Sequence, residues 1–159
     1  MAPKRARDPA AEQCEILLVE DSAKDVQLTR EALRESGFHC GLSVAADGFE
    51  ALQRLRHIPP FEASPFPDLV LLDLNLPAKS GREVLAEIKA DPKLRSIPVI
   101  VLTTSRADSD VRACYDLHAN SYLAKPLEFD EFIDMMRGLH EFWIKRAQRP
   151  PKPALEHTA

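Results

Sequence analysis

What this 159-residue sequence lacks already excludes several classes of protein. No apolar run is long enough to span a bilayer, and no apolar stretch of signal-peptide length follows the basic start of the chain. We therefore expect a cytoplasmic protein that does not contact membranes. The formal net charge is −4, so the chain has no excess of positive charge. This argues against non-specific binding to nucleic acid.

Cysteine is also scarce. The chain has three cysteines, an odd number, at Cys14, Cys40 and Cys114, and no CxxC pair occurs. We therefore expect three reduced thiols, as in a cytosolic protein. The five histidines show no metal-ligand spacing with cysteine, which leaves a zinc site with little support. No GxGxxG or GxxxxGK[ST] motif stands at a strand–helix turn, which excludes the common nucleotide-binding loops.

The residues that are present suit one globular domain, because 45% of them are hydrophobic and 29% are charged. We divide the chain into a disordered arm over residues 1–13, a domain over residues 14–146 and a proline-rich tail over residues 147–159. Residues 57–67 contain four prolines and are predicted to form a loop.

Short apolar runs alternate with amphipathic segments along the domain. Predicted strands cover residues 16–19, 42–45, 69–72, 99–102 and 121–124. A helix follows each strand; the first is capped by Ser22 and ended by Gly37, and the last runs from about Glu128 to Lys145. Five such units predict an α/β fold with a parallel sheet, helices on both faces and strands buried on both sides.

Ligands of such sheets bind beyond the carboxyl ends of the strands. The residues at these ends are Glu20–Asp21, Asp73, Thr103 and Lys125. Clustered carboxylates suit Mg²⁺, which keeps several waters and takes one or two protein carboxylates plus phosphate oxygens. A lysine and a hydroxyl can bond phosphoryl oxygens, and a carboxylate can be the nucleophile that forms an aspartyl-phosphate.

As a set, these motifs resemble the receiver domain of two-component response regulators over roughly residues 15–145. The matching segments are the acidic pair, LVLLDLNLP around Asp73, PVIVLTTS around Thr103, and SYLAKP with Lys125 and Pro126; Pro77 and Gly81 fit the family's loop. The resemblance implies a flavodoxin-like (βα)5 doubly wound sandwich of three layers with strand order 2-1-3-4-5. The acidic pair is Glu–Asp here, where Asp–Asp is also common.

The resemblance also implies a role for each residue of the site. Asp73 would accept the phosphoryl group from a kinase phosphohistidine. Asp21 and Asp73 would ligate Mg²⁺, together with the backbone carbonyl of Asn75, and Glu20 would bind it through water.

Further implications concern the switch and the Lys125–Pro126 peptide bond. Lys125 would pair with the phosphoryl group, and Thr103 would rotate inward to bond it. Tyr122 matches the family's switch aromatic, with a half-buried edge-strand tyrosine as the alternative. The Lys125–Pro126 bond would be cis.

Nothing after residue 145 could form a DNA-binding helix-turn-helix, so we expect signalling through protein contacts, with no enzymatic output beyond the chain's own phosphotransfer and autodephosphorylation. The segments PPFEASPFPDLVLLDLNLP and ADPKLRSIPVIVLTTS and the terminal FWI are similar to single-domain regulators that pair with phytochrome-type histidine kinases. A sensor histidine kinase, with a bacteriophytochrome as candidate, is therefore the expected partner.

Two alternatives to this function remain. Haloacid-dehalogenase-like phosphatases also use a strand-end aspartate with Mg²⁺, but they place a second aspartate two residues on, where this chain has Asn75. A pseudo-receiver that is never phosphorylated would not need to retain every residue of the site.

The last predicted helix carries more apolar surface than one sheet face can bury. Phe142 and Trp143 lie beyond its main apolar stripe, and large aromatic side chains are favoured at interfaces. We therefore expect a homodimer that uses Phe142 and Trp143. The resemblance adds Tyr122 to this interface, because receivers commonly dimerise through the face that contains its strand. The alternative is that the helix end packs onto the first helix or the N-terminal arm.

Overall fold

The computed structural model describes residues 14–153. The predicted arm over residues 1–13 and the end of the predicted tail lie outside these residues. The elements, in chain order, are β1 (Glu15–Val19), α1 (Ala23–Glu35), β2 (Gly41–Ala45), α2 (Gly48–Leu55), β3 (Leu69–Leu72), α3 (Gly81–Ala90), β4 (Val99–Thr103), α4 (Asp108–Asp116), β5 (Ser121–Ala124), α5 (Phe129–Leu139) and a π-helical segment (His140–Arg146).

The five strands of residues 14–153 form one parallel sheet in the order β2-β1-β3-β4-β5, which confirms the predicted fold. Val19 at the end of β1 pairs with Ala45 on one side and Leu72 on the other, so the carboxyl ends of these strands meet at one edge. Strands β3 and β4 are buried throughout, but β2 and β5 are partly exposed. The prediction of burial on both sides is wrong for β2 and β5, because an edge strand has a neighbour on one side only.

Alternate residues of each strand point to opposite faces and build two cores. On one face Val19, Leu72 and Val101 pack with residues of α2, α3 and α4. On the other face Leu18 and Leu71 pack with residues of α1 and α5. The sheet therefore separates two helical layers, as expected for a three-layer sandwich.

The ends of the first helix follow the predicted signals. The Ser22 hydroxyl accepts a hydrogen bond from the backbone N–H of Asp25 at 3.2 Å, and Gly37 adopts a φ of 80° just beyond the helix. The last helix differs from its prediction, because the backbone widens to π geometry after Leu139. There the N–H of Ala147 donates to the carbonyl of Phe142, five residues earlier.

The prediction of three reduced thiols is wrong for two of them. The structure joins Cys14 and Cys40 in a disulfide with their Cα atoms 4.7 Å apart, and Cys114 is a free buried thiol. The two cysteines precede β1 and β2, and the register that pairs Glu15 with Gly41 brings them side by side. No helix of residues 14–153 is long and apolar enough to cross a membrane.

The proline-rich segment 57–67 forms a loop, as predicted. Among residues 14–153, the cis peptide bond is Pro59–Pro60, so Lys125–Pro126 is trans and the prediction of a cis bond there is wrong. The trans isomer is the one that most X–Pro bonds adopt in folded proteins.

Candidate functional site

Three of the predicted strand-end residues meet at the carboxyl edge of the sheet. The Lys125 ammonium donates hydrogen bonds to Glu20 Oε2 at 2.7 Å and to Asp73 Oδ2 at 3.2 Å. These groups follow β5, β1 and β3, respectively. The backbone N–H of Lys125 also donates to the carbonyl of Thr103 at 2.7 Å, which ties the loop after β5 to the end of β4.

The loop that follows β3 fixes Asp73. Its backbone N–H donates to the carbonyl of Val19 at 3.1 Å, and its Oδ1 accepts a hydrogen bond from the N–H of Asn75 at 3.1 Å. The loop then packs against the start of α3 at Gly81, where a Cβ would lie 2.6 Å from the Cα of Leu74. Only glycine allows this close approach, which holds the backbone of Asp73 in place.

The charges of the site influence one another strongly. Burial, together with the neighbouring Asp73, raises the pKa of Glu20 to about 7 against the opposing effect of Lys125. Burial also acts to raise the pKa of Asp73, but hydrogen bonds from Glu20 and the Asn75 N–H, together with Lys125, outweigh it and lower that pKa. Burial acts to lower the pKa of Lys125, yet Glu20 and Asp73 raise it overall. Asp73 and Lys125 are therefore both charged at neutral pH.

Thr103 contributes a hydroxyl with no partner. Its side chain is fully buried, and its Oγ1 has no hydrogen-bond partner among the residues that the structure describes. An unpaired buried hydroxyl is costly and is rare away from functional sites. Because Thr103 ends β4, next to the strand that leads to Asp73, this hydroxyl is available to an oxygen that arrives at the carboxylate.

Tyr122 lies on edge strand β5 and is partly buried. Its hydroxyl donates to the carbonyl of Ser105 at 2.9 Å, and its backbone N–H donates to the hydroxyl of Tyr115 at 3.2 Å. The tyrosine is thus joined to the segment that directly follows Thr103.

The predicted metal ligands are present but do not form a ready-made cage. Asp21 is exposed beside Glu20, and Asp73 faces Lys125. In residues 14–153, no three His, Cys, Asp or Glu side chains are arranged to hold a metal ion as they stand. The donor set still fits a hard divalent cation chemically, because it consists of carboxylate and carbonyl oxygens and carries an excess of negative charge.

Sequence reasoning missed one member of the site. Asp25 Oδ2 lies 3.3 Å from the Lys125 ammonium, as a third acidic partner. Asp25 is in the first turn of α1 and does not end a strand, so attention to strand ends could not find it. The one available signal was an additional carboxylate four residues after Asp21.

The predicted interface residues are divided between surface and core. The side chain of Phe142 is 56% exposed, and its ring contacts the ring of Trp143 edge-on, with 5.2 Å between centroids. Trp143 is partly buried against the core formed by α1 and α5, and Ile144 belongs to that core. The end of the helix therefore packs partly within its own chain, while Phe142 remains available.

Comparisons with known proteins agree with this geometry. A family model described as "Response regulator receiver domain" matches residues 16–137. The chain is 47% identical to response regulator Rcp1 of Synechocystis sp. over 135 residues, which cover 85% of this chain and 92% of Rcp1.

Two solved structures are similar over 87% of this chain and 99% of theirs. The Mn²⁺-bound form of Rcp1 is 46% identical with a TM-score of 0.80. The phosphorylated cyanobacterial phytochrome response regulator RcpA is 44% identical with a TM-score of 0.82.

Proposed function

The chain belongs to the response regulator receiver family, and from that membership we propose that Asp73 accepts a phosphoryl group from the phosphohistidine of a sensor histidine kinase. The observation that carries this proposal is the Lys125 ammonium shared by Asp73 and Glu20. The ionised Asp73 carboxylate is the nucleophile of the proposed transfer. Its oxygen forms a bond to phosphorus while the phosphorus–nitrogen bond to the imidazole breaks.

The residues around Asp73 could stabilise the negative charge of the phosphoryl group. Lys125 would pair with one phosphoryl oxygen, and the unpartnered hydroxyl of Thr103 would donate to another. Asn75 already holds one carboxylate oxygen of Asp73 through its N–H, which orients the nucleophile. Transfer between aligned groups then needs little beyond stabilisation of these oxygens.

Mg²⁺ is the proposed cofactor. Asp21, Asp73 and the backbone carbonyl of Asn75 would hold it, with Glu20 binding through water. When bound, it would neutralise the excess negative charge of the carboxylates and of the incoming phosphoryl group. The Mn²⁺-bound form of the relative Rcp1 supports a divalent cation here.

We propose a phytochrome-type histidine kinase as the partner, because the similar structures include a phytochrome response regulator. The signalling would take place in the cytoplasm through protein contacts. The only chemistry of the chain would be its own phosphotransfer and autodephosphorylation.

The test of the phosphoacceptor compares the two aspartates that flank β3. Wild type and the control variant Asp68→Asn should both take up a phosphoryl group from acetyl phosphate with Mg²⁺, as measured by intact-protein mass spectrometry. Asp73→Asn should take up none, and EDTA should stop uptake by the wild type. Full labelling of Asp73→Asn would refute the proposal.

Thr103 and Tyr122 are the proposed switch. Inward rotation of Thr103 toward the phosphoryl group would move the segment that the Tyr122 hydroxyl bonds at Ser105. Thr103→Ala should still be phosphorylated but should show a reduced structural response to beryllofluoride by NMR. A full response of this variant would contradict the coupling.

We propose that the chain forms a homodimer through Tyr122, Phe142 and Trp143. The support is the exposed ring of Phe142 beside a tryptophan at the end of the last helix. Phe142→Ala should lower the mass measured by light scattering without the loss of core packing expected for Trp143→Ala. A wild type that stays monomeric at high micromolar concentration, with or without phosphorylation, would exclude the dimer.

A further inference from the structure

Lys125 is shared by three carboxylates, and one of them differs from the other two. The ammonium has three N–H donors, and its partners are Glu20 at 2.7 Å, Asp73 at 3.2 Å and Asp25 at 3.3 Å. The side chains of Glu20 and Asp73 are 3% and 9% exposed, but that of Asp25 is 36% exposed. Asp25 therefore holds the ammonium from the solvent side of the site.

The position of Asp25 does not depend on Lys125. Its backbone N–H donates to the Ser22 hydroxyl at 3.2 Å, and its carbonyl accepts a hydrogen bond from the buried Thr29 hydroxyl at 2.8 Å. The first turn of a helix also favours a carboxylate, because the helix dipole is positive there. The backbone of Asp25 is thus fixed at the start of α1, and the flexible Lys125 side chain reaches its carboxylate there.

We propose that Asp25 is a positioning residue that competes with the phosphoryl group on Asp73 for the Lys125 ammonium and so weakens the phosphorylated form. This inference rests on the proposed function, because it assumes that Lys125 pairs with phosphoryl oxygens. Every N–H of the ammonium already has a carboxyl partner, so a phosphoryl oxygen gains Lys125 only if one of these groups gives it up. Asp25 would set how readily this exchange occurs.

Beryllofluoride, which mimics the phosphoryl group, is the probe for this competition. The full chain at saturating Mg²⁺ is titrated with beryllofluoride and followed by NMR. Asp25→Asn keeps the size of the side chain and removes its charge, so it should bind beryllofluoride about two- to fivefold more tightly than wild type. Asp25→Glu restores the charge and should bind like wild type.

Two further variants separate the action on Lys125 from general effects. Glu31→Gln removes the same charge from the same helix, away from Lys125, and should leave the affinity unchanged. In a Lys125→Met background, Asp25→Asn should have no effect, whereas a purely structural role of Asp25 would persist there.

The outcomes are distinct. Equal or weaker beryllofluoride binding by Asp25→Asn, or an effect that survives in Lys125→Met, overturns the inference while leaving the proposed function standing. A wild-type chain that does not bind beryllofluoride overturns the proposed function and this inference with it.

Discussion

Strand β3 has a buried aspartate at each end, and the two differ in their charge balance. Asp68 precedes the strand and its side chain is 7% exposed; Asp73 follows it and its side chain is 9% exposed. The Asp68 carboxylate accepts a hydrogen bond from the Glu15 N–H at 2.8 Å and lies 3.4 Å from both Arg149 and Lys152. One acid therefore has two cations at the amino edge of the sheet.

At the carboxyl edge the ratio is reversed, because Asp73 shares a single lysine with Glu20 and Asp25. Two partly buried lysines, Lys89 and Lys125, show the same contrast between the two edges. Lys89 donates to the neutral oxygens of residues 95, 97 and 120 at 2.8–3.0 Å, and its burial lowers its pKa. The negative charge of Asp68 is thus balanced within the chain, while the carboxyl edge keeps negative charge and an unpaired hydroxyl for an added ligand.

The disulfide provides the largest expected effect on stability and lies at the amino edge. The crosslink joins residues 26 apart, so its reduction should lower the free energy of unfolding by about 3.5 kcal/mol, by the loop-entropy estimate. Thermal unfolding with and without reductant measures this, and Cys40→Ser should not respond to reductant. Phosphoryl uptake should stay unchanged on reduction, since Asp73 lies at the opposite edge.

Identical unfolding of wild type with and without reductant would show that Cys14 and Cys40 are not joined. A loss of phosphoryl uptake on reduction would contradict the inference that the disulfide at the amino edge does not influence Asp73 at the carboxyl edge.

Substitution of the two partly buried lysines should have a smaller effect on stability and sharpens the comparison of the two edges. Lys89→Met leaves the carbonyls of Arg95 and Ile97 without this donor and should cost about 2 kcal/mol, with or without Mg²⁺. Lys125→Met leaves carboxylates facing one another, so its cost in EDTA should shrink when Mg²⁺ is added. Urea unfolding in EDTA and in Mg²⁺ compares the two variants. An equal response of both to Mg²⁺ would contradict the assignment of the cation to the carboxyl edge.

Much of the fold could be predicted because its signals are local. The apolar runs at 69–72 and 121–124 match β3 and β5 residue for residue, and the parallel alternation places the strand ends at one edge. The strand order came from the family resemblance. The rule that ligands bind at the carboxyl ends of parallel strands identified Glu20, Asp73 and Lys125. The structure brings these three residues together.

The features that were missed depend on non-local geometry. Asp25 reaches Lys125 only through the placement of α1 beside the end of β5, which no pattern within the helix reports. The Cys14–Cys40 pair depends on the register of β1 with β2, and an odd number of cysteines conceals it. The change from α- to π-helix after Leu139 leaves the apolar sequence uninterrupted, so periodicity alone did not predict it.

The smallest expected effect is a dependence of stability on pH that originates at the carboxyl edge. Glu20 has a pKa raised from 4.5 to about 7, mainly by burial. The folded state therefore keeps a proton that the unfolded state has lost, and stability from this group is complete below pH 4.5 and lost as pH rises through 7. Between pH 5 and pH 6 the free energy of unfolding should fall by about 1 kcal/mol relative to Glu20→Gln, which cannot titrate.

The difference in free energy of unfolding between wild type and Glu20→Gln isolates the titration of Glu20, because the other titrating groups are common to both proteins. His140 has a lowered pKa through burial and contributes the opposite slope below pH 6.5, while the lowered pKa of Asp73 acts below pH 3.8, outside the window. Urea unfolding in EDTA at several pH values measures the difference without competition from cations. Parallel stability curves for wild type and Glu20→Gln would mean that Glu20 is already ionised at pH 5, and that Lys125 offsets the negative charge of this edge as fully as Arg149 and Lys152 offset that of Asp68.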